Sequence, residues 1–221
     1  MLVKGVGGKI WRVVKNLYRE VGSCVRLGNE KTDWFNLEVG LRQGCILSPV
    51  LFSIFIDGLA EEVKKVGGAR YADIIVSLLL FADDIVLIAE SPQMMQKMLD
   101  VVYNYSKKYR FRFNQSKSNI MIFGRKYNQK FRLGENELEV VNSYKYLGLL
   151  LDKNFTWKQH LDKVLDKARK KMRSLCAMGL REEGISARAL LRGWDVLVRP
   201  LLEYGAEIWG ERIGRRGKIY R

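Results

Sequence analysis

The sequence predicts an α+β fold: a ferredoxin-like βαββαβ unit lacking its first strand, followed by a basic helical region. Three observations carry this. Ser48-Pro49 and Ser91-Pro92 each open a stretch with apolar side chains at helical spacing. Between those stretches lie two short apolar runs, 74–80 and 85–89, joined by Phe81-Ala82-Asp83-Asp84. From Trp157 onward the pattern is helical and rich in lysine and arginine. The order helix, strand, strand, helix, strand is βαββαβ minus its first β.

Taken in chain order, residues 8–19 repeat apolar side chains at Ile10, Val13, Val14, Leu17 and Tyr18, the spacing of one helix face. Two strand-like runs follow, 23–27 and 34–39, with Gly28-Asn29 as hairpin turn chemistry. Ser48 is expected to cap the next helix, with Pro49 in its first position, where a missing N–H costs nothing. Its stripe reads Leu51, Ile54, Phe55, Leu59 and Val63, and Gly67-Gly68 ends it. The runs 74–80 and 85–89 are apolar and partly β-branched, like buried strands. The Ser91 helix presents Met95, Met98, Leu99, Val102, Ser106 and Tyr109 on one face.

Further strands are expected at 111–113 and 119–123. Short ones over 131–151 end in Tyr144-Lys145-Tyr146-Leu147-Gly148. Trp157, Leu161, Val164, Leu165, Ala168, Met172 and Leu175 then form the stripe of a long helix, with Lys163, Lys167, Arg169, Lys170, Lys171 and Arg173 mostly off it. Ser186 is expected to cap a helix running to about Pro200. The change of pattern near 152–156 divides the chain into 1–151, 152–211 and a basic tail, 212–221. The tail carries Arg212, Arg215, Arg216, Lys218 and Arg221 and is expected to fray.

The chain has 221 residues, 48% of them apolar, which is enough for a sizeable core and argues against wholesale disorder. No apolar run approaches the ~18–20 residues of a membrane span, and the first ten residues lack the apolar core of a signal peptide. Cys24, Cys45 and Cys176 fit no zinc spacing, and an odd count argues against a disulfide framework, so an intracellular, reducing compartment is expected. The net charge is +15. Residues 1–100 hold 12 basic and 12 acidic residues, whereas 101–221 hold 27 and 12, so the whole excess lies in the second part. A polyanion is the natural partner, and interleaved aromatics favour nucleic acid over a membrane. The alternative is a basic surface with no partner.

Asp83 and Asp84 stand together at the tip of a strand-turn-strand unit. On a strand, successive side chains point to opposite faces, but a turn can expose both. Adjacent carboxylates beside apolar strands need solvent or a cation, and hard cations such as magnesium accept carboxylate oxygens and bridge to phosphates. Taken alone, the pair reads equally well as a polar turn. Tyr71-Ala72-Asp73 repeats part of the box, but it lacks the second Asp and is placed before the strand rather than at a hairpin tip. His160, the one histidine, sits among lysines and is assigned to the surface rather than to a ligand set.

The neighbours decide the pair. Leu41-Arg42-Gln43-Gly44-Cys45-Ile46-Leu47-Ser48-Pro49 precedes a helix, Phe81-Ala82-Asp83-Asp84 follows, then Asn114-Gln115-Ser116-Lys117-Ser118, then Tyr146-Leu147-Gly148. In that order these boxes resemble the palm of a reverse transcriptase, most closely the LINE-like branch of non-long-terminal-repeat retrotransposons. The resemblance covers residues 5–151 and continues loosely to Trp209 through a stretch like the family's thumb. It implies a partial polymerase palm followed by a helical thumb-like region. It also implies RNA-templated DNA synthesis from deoxynucleotides on an RNA template and DNA primer, with Mg2+. By the resemblance, Asp83 and Asp84 match the metal-binding catalytic box and Lys117 the lysine near the leaving phosphates. Gln43 and Gly44 match the loop near the incoming nucleotide, where Gly44 allows close approach. Tyr146, Leu147 and Gly148 match the hairpin that grips the primer end. Lys163, Lys167, Lys170, Lys171 and Arg173 would track the duplex backbone.

The family's site has a third Asp on an upstream strand, which also carries the residue that excludes ribonucleotides. Only seven residues precede Gly8, and none is acidic. That strand and the fingers before it are therefore expected to be missing, with Met1 opening a truncated frame. The isolated chain is then expected to lack activity. The rival reading is a non-catalytic nucleic-acid-binding remnant acting through its basic helices.

Overall fold

The computed structural model describes residues 2–38, 40–124, 127–179, 184 and 186–215. They fall into two compact units, one of residues 1–113 and 131–137, the other of 114–130 and 138–221. The mixed α+β composition read from the sequence is present.

The first unit opens with a 3₁₀ turn, Leu2–Lys4, whose Lys4 ammonium lies 2.6 Å from both Asp57 and Glu61. Helix α1 (Gly8–Leu17) forms as the spacing predicts, but it buries no residue, and Ile10, Val13 and Leu17 stay exposed. The expected hairpin forms in two stages. Strand β1 (Val21–Ser23) pairs antiparallel with β4 (Phe35–Leu37), while β2 (Arg26–Leu27) and β3 (Glu30–Lys31) pair around Gly28. Val39, the end of the second predicted run, lies outside the described residues.

Helix α2 (Ser48–Lys64) has Pro49 in its first turn, but Ser48 is not its cap; Leu47 occupies that position without a side-chain bond. The Ser48 hydroxyl is committed elsewhere, donating to the Arg42 carbonyl at 2.6 Å beside the Tyr18 hydroxyl at 3.0 Å. The buried face is Ile56, Leu59, Ala60 and Val63, sharing Leu59 and Val63 with the expected stripe and replacing its other members with Ile56 and Ala60. Phe55 instead sits at the edge, its ring 5.7 Å from Tyr109 and 5.6 Å from Phe111.

Two hairpins follow. Strand β5 (Ala69–Tyr71) pairs with β6 (Ile74–Val76), and β7 (Leu78–Phe81) with β8 (Asp84–Leu87). The predicted strand 74–80 is thus divided at Ser77, which is buried and whose carbonyl accepts from the Ile88 N–H at 2.8 Å. Helix α3 (Pro92–Lys108) is capped as expected, the Ser91 hydroxyl oxygen accepting from the Met94 N–H at 3.2 Å. It buries Met98, Leu99 and Val102, and the polar Ser106 on that face is satisfied by the Tyr103 carbonyl at 2.7 Å. Tyr105 is buried as well and ties the two helices together, donating to the Phe55 carbonyl at 2.8 Å. Burial pushes its phenol up to about 12. Residues 111–113 form no strand; the rings of Phe111 and Phe113 join the aromatic cluster around Phe55 and Tyr105 instead. The chain passes through β9 (Asn119–Ile120), all that forms of the predicted strand 119–123, and returns at β10 (Phe131–Leu133). Gln96 of α3 holds β10, its side-chain amide both donating to and accepting from the Arg132 backbone at 2.9 and 3.0 Å.

In the second unit the last residues of β11 (Asn136–Val140) run parallel to β9, with Glu139 opposite Asn119. Strands β12 (Ser143–Tyr146) and β13 (Leu149–Asp152) form a hairpin. Asp152 then starts α4 (Lys158–Gly179). Its buried carboxylate accepts from the N–H groups of Asn154, Thr156 and Trp157 and from the Thr156 hydroxyl, all at 2.9–3.0 Å. Burial alone would raise its pKa; the donors from Thr156, Trp157 and Asn154 outweigh that and lower it. In the same loop Phe155 and Trp157 have positive φ. Leu149, Trp157 and Leu161 make one core cluster, and Ala168, Leu175 and Val198 another.

The helix predicted from Ser186 to Pro200 forms without a break in helical backbone, but its hydrogen-bond pattern changes along the way. Helix α5 (Ala187–Gly193) gives way to a π-helical turn at Trp194–Val198, then α6 (Arg199–Glu203) and α7 (Ala206–Arg215). The tail backbone is helical through Arg215, and residues 216–221 lie outside the described residues.

The surface assignment of His160 is corrected: it is 4% exposed. Its ring lies 6.0 Å from Trp157 and 6.2 Å from Trp209, and Nδ1 accepts from the Leu150 N–H at 3.3 Å. The lysine-rich surroundings misled the reading, because His160 falls on the same helix face as Leu161, Val164 and Ala168. Burial, and then the charge of Lys167, lowers its pKa.

Removing the buried carboxylate leaves several donors unsatisfied at once, so Asp152→Ala is expected to cost about 2–3 kcal/mol, read from the urea midpoint. His160 gives a pH signature. Its folded pKa lies below the ~6.5 of the unfolded chain, so its contribution is complete above that value and is lost as pH falls toward the folded pKa. Urea midpoints are expected to fall on going from pH 8 to pH 5, with a shallower fall in His160→Gln.

Candidate active site

Phe81 pairs directly with Asp84, so Ala82 and Asp83 are the two residues of a tight hairpin turn. Ala82 has φ +49, and Asp83 is not left-handed, the φ pattern of a type II′ turn whose first place usually takes Gly. Asp83 therefore projects from the turn, and Asp84 opens β8. Both are exposed. Neither carboxylate has a hydrogen bond or ion pair among the described residues, and no cluster of three potential metal ligands occurs among them.

The placement of Tyr71-Ala72-Asp73 before the strand is corrected. Tyr71 pairs with Ile74, Ala72 has φ +50, and the segment makes the same turn as the Asp83 box. The reason to set it aside is the missing second carboxylate: Ile74 follows Asp73 where Asp84 follows Asp83.

Gln43 and Gly44 occupy the exposed loop between β4 and α2. The Cys45 N–H donates to the Arg42 carbonyl at 3.3 Å, and Gly44 has φ +80 in the third place of that turn, as a type II turn requires. A Cβ at Gly44 would meet nothing of the chain within 4 Å, so within the fold itself it is φ that calls for glycine. The loop's closure by Ser48 and Tyr18 was not anticipated. The Leu47 N–H is the first cause holding the Cys45 thiol below its ordinary value. No hydrogen bond or ion pair joins Gln43 or Gly44 to Asp83 or Asp84 among the described residues.

Lys117 ends a 3₁₀ turn, Gln115–Lys117, with its side chain exposed. The Asn114 carbonyl accepts from the Lys117 N–H at 3.2 Å and from the Ser118 hydroxyl at 2.9 Å. The Tyr144 hydroxyl of β12 donates to the Lys117 carbonyl at 2.6 Å. The hairpin that carries Tyr146, Leu147 and Gly148 thus also holds the Lys117 loop. Tyr146 pairs with Leu149, leaving Leu147 (φ +44) and Gly148 (φ +84) as the turn, the φ pattern of type I′. Tyr204, distant in sequence, donates to the Leu147 carbonyl at 2.7 Å. Sequence spacing offers no signal for that contact.

Lys163, Lys167, Lys170, Lys171 and Arg173 are all exposed on α4, within about 160° of arc at ~100° per residue. Lys170 is partly engaged by Asp166 at 2.8 Å. Asp83, Asp84, Gln43 and Gly44 belong to the first unit; Lys117, the Leu147 turn and the five cations belong to the second. No helix among the described residues is long and apolar enough to cross a membrane.

Residues 6–151 match the reverse transcriptase (RNA-dependent DNA polymerase) family. Among curated proteins, the chain is 21% identical over 210 residues to the RNA-directed DNA polymerase from mobile element jockey of Drosophila melanogaster, covering 91% of this chain and 23% of that protein. It is 25% identical over 196 residues to the probable RNA-directed DNA polymerase from transposon X-element of the same fly, covering 85% and 21%. To the retrovirus-related Pol polyprotein from its type-2 retrotransposable element R2DM it is 29% identical over 154 residues, covering 65% and 14%. The chain spans about a quarter or less of the length of these relatives.

Gly148→Ala forces a Cβ into the left-handed region and to 3.0 Å from the Tyr204 ring. It is expected to cost about 1–2 kcal/mol in a urea titration.

Proposed function

The chain belongs to the reverse transcriptase (RNA-dependent DNA polymerase) family of LINE-like, non-long-terminal-repeat mobile elements, and we propose that it is one portion of an enzyme that copies RNA into DNA. The observation that carries this is the β7–β8 turn, which exposes two adjacent, unpartnered carboxylates within the matched segment.

In this reading residues 1–151 are a partial palm and 152–211 a thumb-like region that ends in a basic tail. Asp83 and Asp84 fit part of the oxygen set that a hard divalent cation such as Mg2+ requires. When bound, that cation polarises an attacking hydroxyl and neutralises phosphate charge. Two side chains do not complete a two-metal site, and the remaining carboxylate is assigned to a segment other than the described residues. Lys117 would meet the leaving phosphates of a deoxynucleotide, Gln43 and Gly44 the incoming nucleotide and template, and the Leu147 turn the primer end. The cations of α4 would contact phosphates of the template–primer duplex. Those five exposed cations favour one second reading, a nucleic-acid-binding protein without catalysis.

The test is primer extension by the 221-residue chain with Mg2+, deoxynucleotides and an RNA-templated DNA primer, beside duplex binding across a salt series. No extension above background is expected, because each ~1.4 kcal/mol of lost transition-state stabilisation is tenfold in rate. Binding is expected with a log–log salt slope near −4 to −5 on duplex DNA, from about five phosphate contacts. Replacing the five cations with Gln is expected to flatten it. Robust extension abolished by Asp83→Ala would overturn the incomplete-site reading, and a slope near zero would overturn the duplex-tracking role of α4.

A further inference from the structure

Resting on the reading of Tyr146, Leu147 and Gly148 as the turn that meets the primer end, we propose that Tyr204 is the positioning residue of that turn. Its phenol, placed at the end of α6, holds Leu147 and Gly148 in the left-handed shape that presents the tip to the primer.

The argument begins with the backbone. Type I′ turns place both central residues at positive φ, which Asn-Gly or Gly-Gly tolerate. Here the first place is a leucine at φ +44. A β-carbon disfavours that region by about tenfold, and such a residue persists only where its surroundings over-determine it. The β12–β13 ladder closes the turn from its stem. At the tip, the Tyr204 hydroxyl donates to the Leu147 carbonyl at 2.7 Å.

Glycines make that reach possible on both sides. A Cβ at Gly148 would come within 3.0 Å of the Tyr204 ring, and one at Gly205 (φ +70) within 2.7 Å of the Leu149 side chain. Tyr204 is itself fixed from behind. Its N–H donates to the Pro200 carbonyl at 3.1 Å, and its carbonyl accepts from the Trp209 indole at 3.0 Å. Its ring is not wedged in place: Tyr204 is 56% exposed and borders a cavity of about 660 Å³ with Tyr146, Leu149 and Ile208. The hydroxyl, not burial, therefore carries the tie. Because Trp209 also packs on the Leu149, Trp157 and Leu161 cluster at the start of α4, the turn is referenced to the basic helix through Tyr204.

Tyr204→Phe removes the hydroxyl and leaves the ring. The full chain and this variant are compared by hydrogen exchange across residues 144–152, and by the fluorescence of a 2-aminopurine at the 3′ terminus of a DNA primer on an RNA template. Duplex affinity and thermal midpoint are measured alongside. The variant is expected to exchange about fivefold faster at the turn and to lose the terminal-base signal, with duplex affinity within about twofold of wild type and a midpoint lowered by no more than the loss of that one hydrogen bond. A merely structural role would lower midpoint and affinity together with the turn signals, and that outcome overturns the proposal. A wild-type terminal signal that Tyr204→Phe leaves intact also overturns it, without touching the proposed function. A wild-type chain that binds duplex yet gives no terminal signal overturns the primer-contact reading and this inference with it.

Discussion

The register of the β12–β13 hairpin is the constraint on which the second unit depends. Four attachments leave this one element. Tyr144 holds the Lys117 carbonyl, the Leu147 carbonyl takes the Tyr204 phenol, the Leu150 N–H donates to His160, and Asp152 gathers the donors that start α4. Side chains on a strand alternate with period two, so a slip by one residue would turn the Tyr144 and Asp152 side chains to the wrong face. The buried Leu149 and Leu150 and the tight Leu147–Gly148 turn fix that register. The Lys117 loop, the turn and the first residues of the basic helix are therefore placed by the same few ladder bonds, not by independent packing.

The first unit shows a different economy. Its two tight hairpins are near copies, each with an aromatic residue, a left-handed alanine and an aspartate. The sheet geometry does not distinguish them; the residue after the aspartate does. Ile74 continues an apolar strand, whereas Asp84 places a second carboxylate where the strand begins. A turn that is structurally ordinary thus becomes a candidate cation site through one side chain.

How much of this was legible follows from where the information lies. Ser91 and Ser48 present the same local signal. Ser91 caps its helix, because nothing else competes for its hydroxyl, whereas Ser48 is drawn to Arg42 and Tyr18 by the closure of a loop. Local pattern placed the helices up to α5 and most strands, including short strands between 131 and 152, but gave no sign of α7. It missed the long-range contacts: Tyr105 reaching Phe55, Tyr144 reaching Lys117 and Tyr204 reaching Leu147. It also misread His160, because neighbouring lysines describe the sequence around a residue and not the helix face it occupies. Among the candidate site residues, ordered motifs located the turns, but the reasons for their glycines came from φ. Gly44 needs it for a type II turn and Gly148 for a type I′ turn.

The charge distribution bears on what those carboxylates are for. The chain carries 39 lysines and arginines, and several carboxylates that serve the fold find one: Asp57 and Glu61 share Lys4, and Glu203 takes Arg199. Others are held by neutral donors: Glu90 by the Arg70 N–H, Asp100 by the Gln96 amide, and the buried Asp152 by backbone N–H groups. Asp83 and Asp84 have neither arrangement among the described residues. Leaving both oxygen sets open to solvent on an apolar hairpin makes sense for a ligand that brings its own positive charge. A hard divalent cation is the simplest such ligand, and in the proposed reading the basic second half of the chain would attract the phosphates which that cation would bridge.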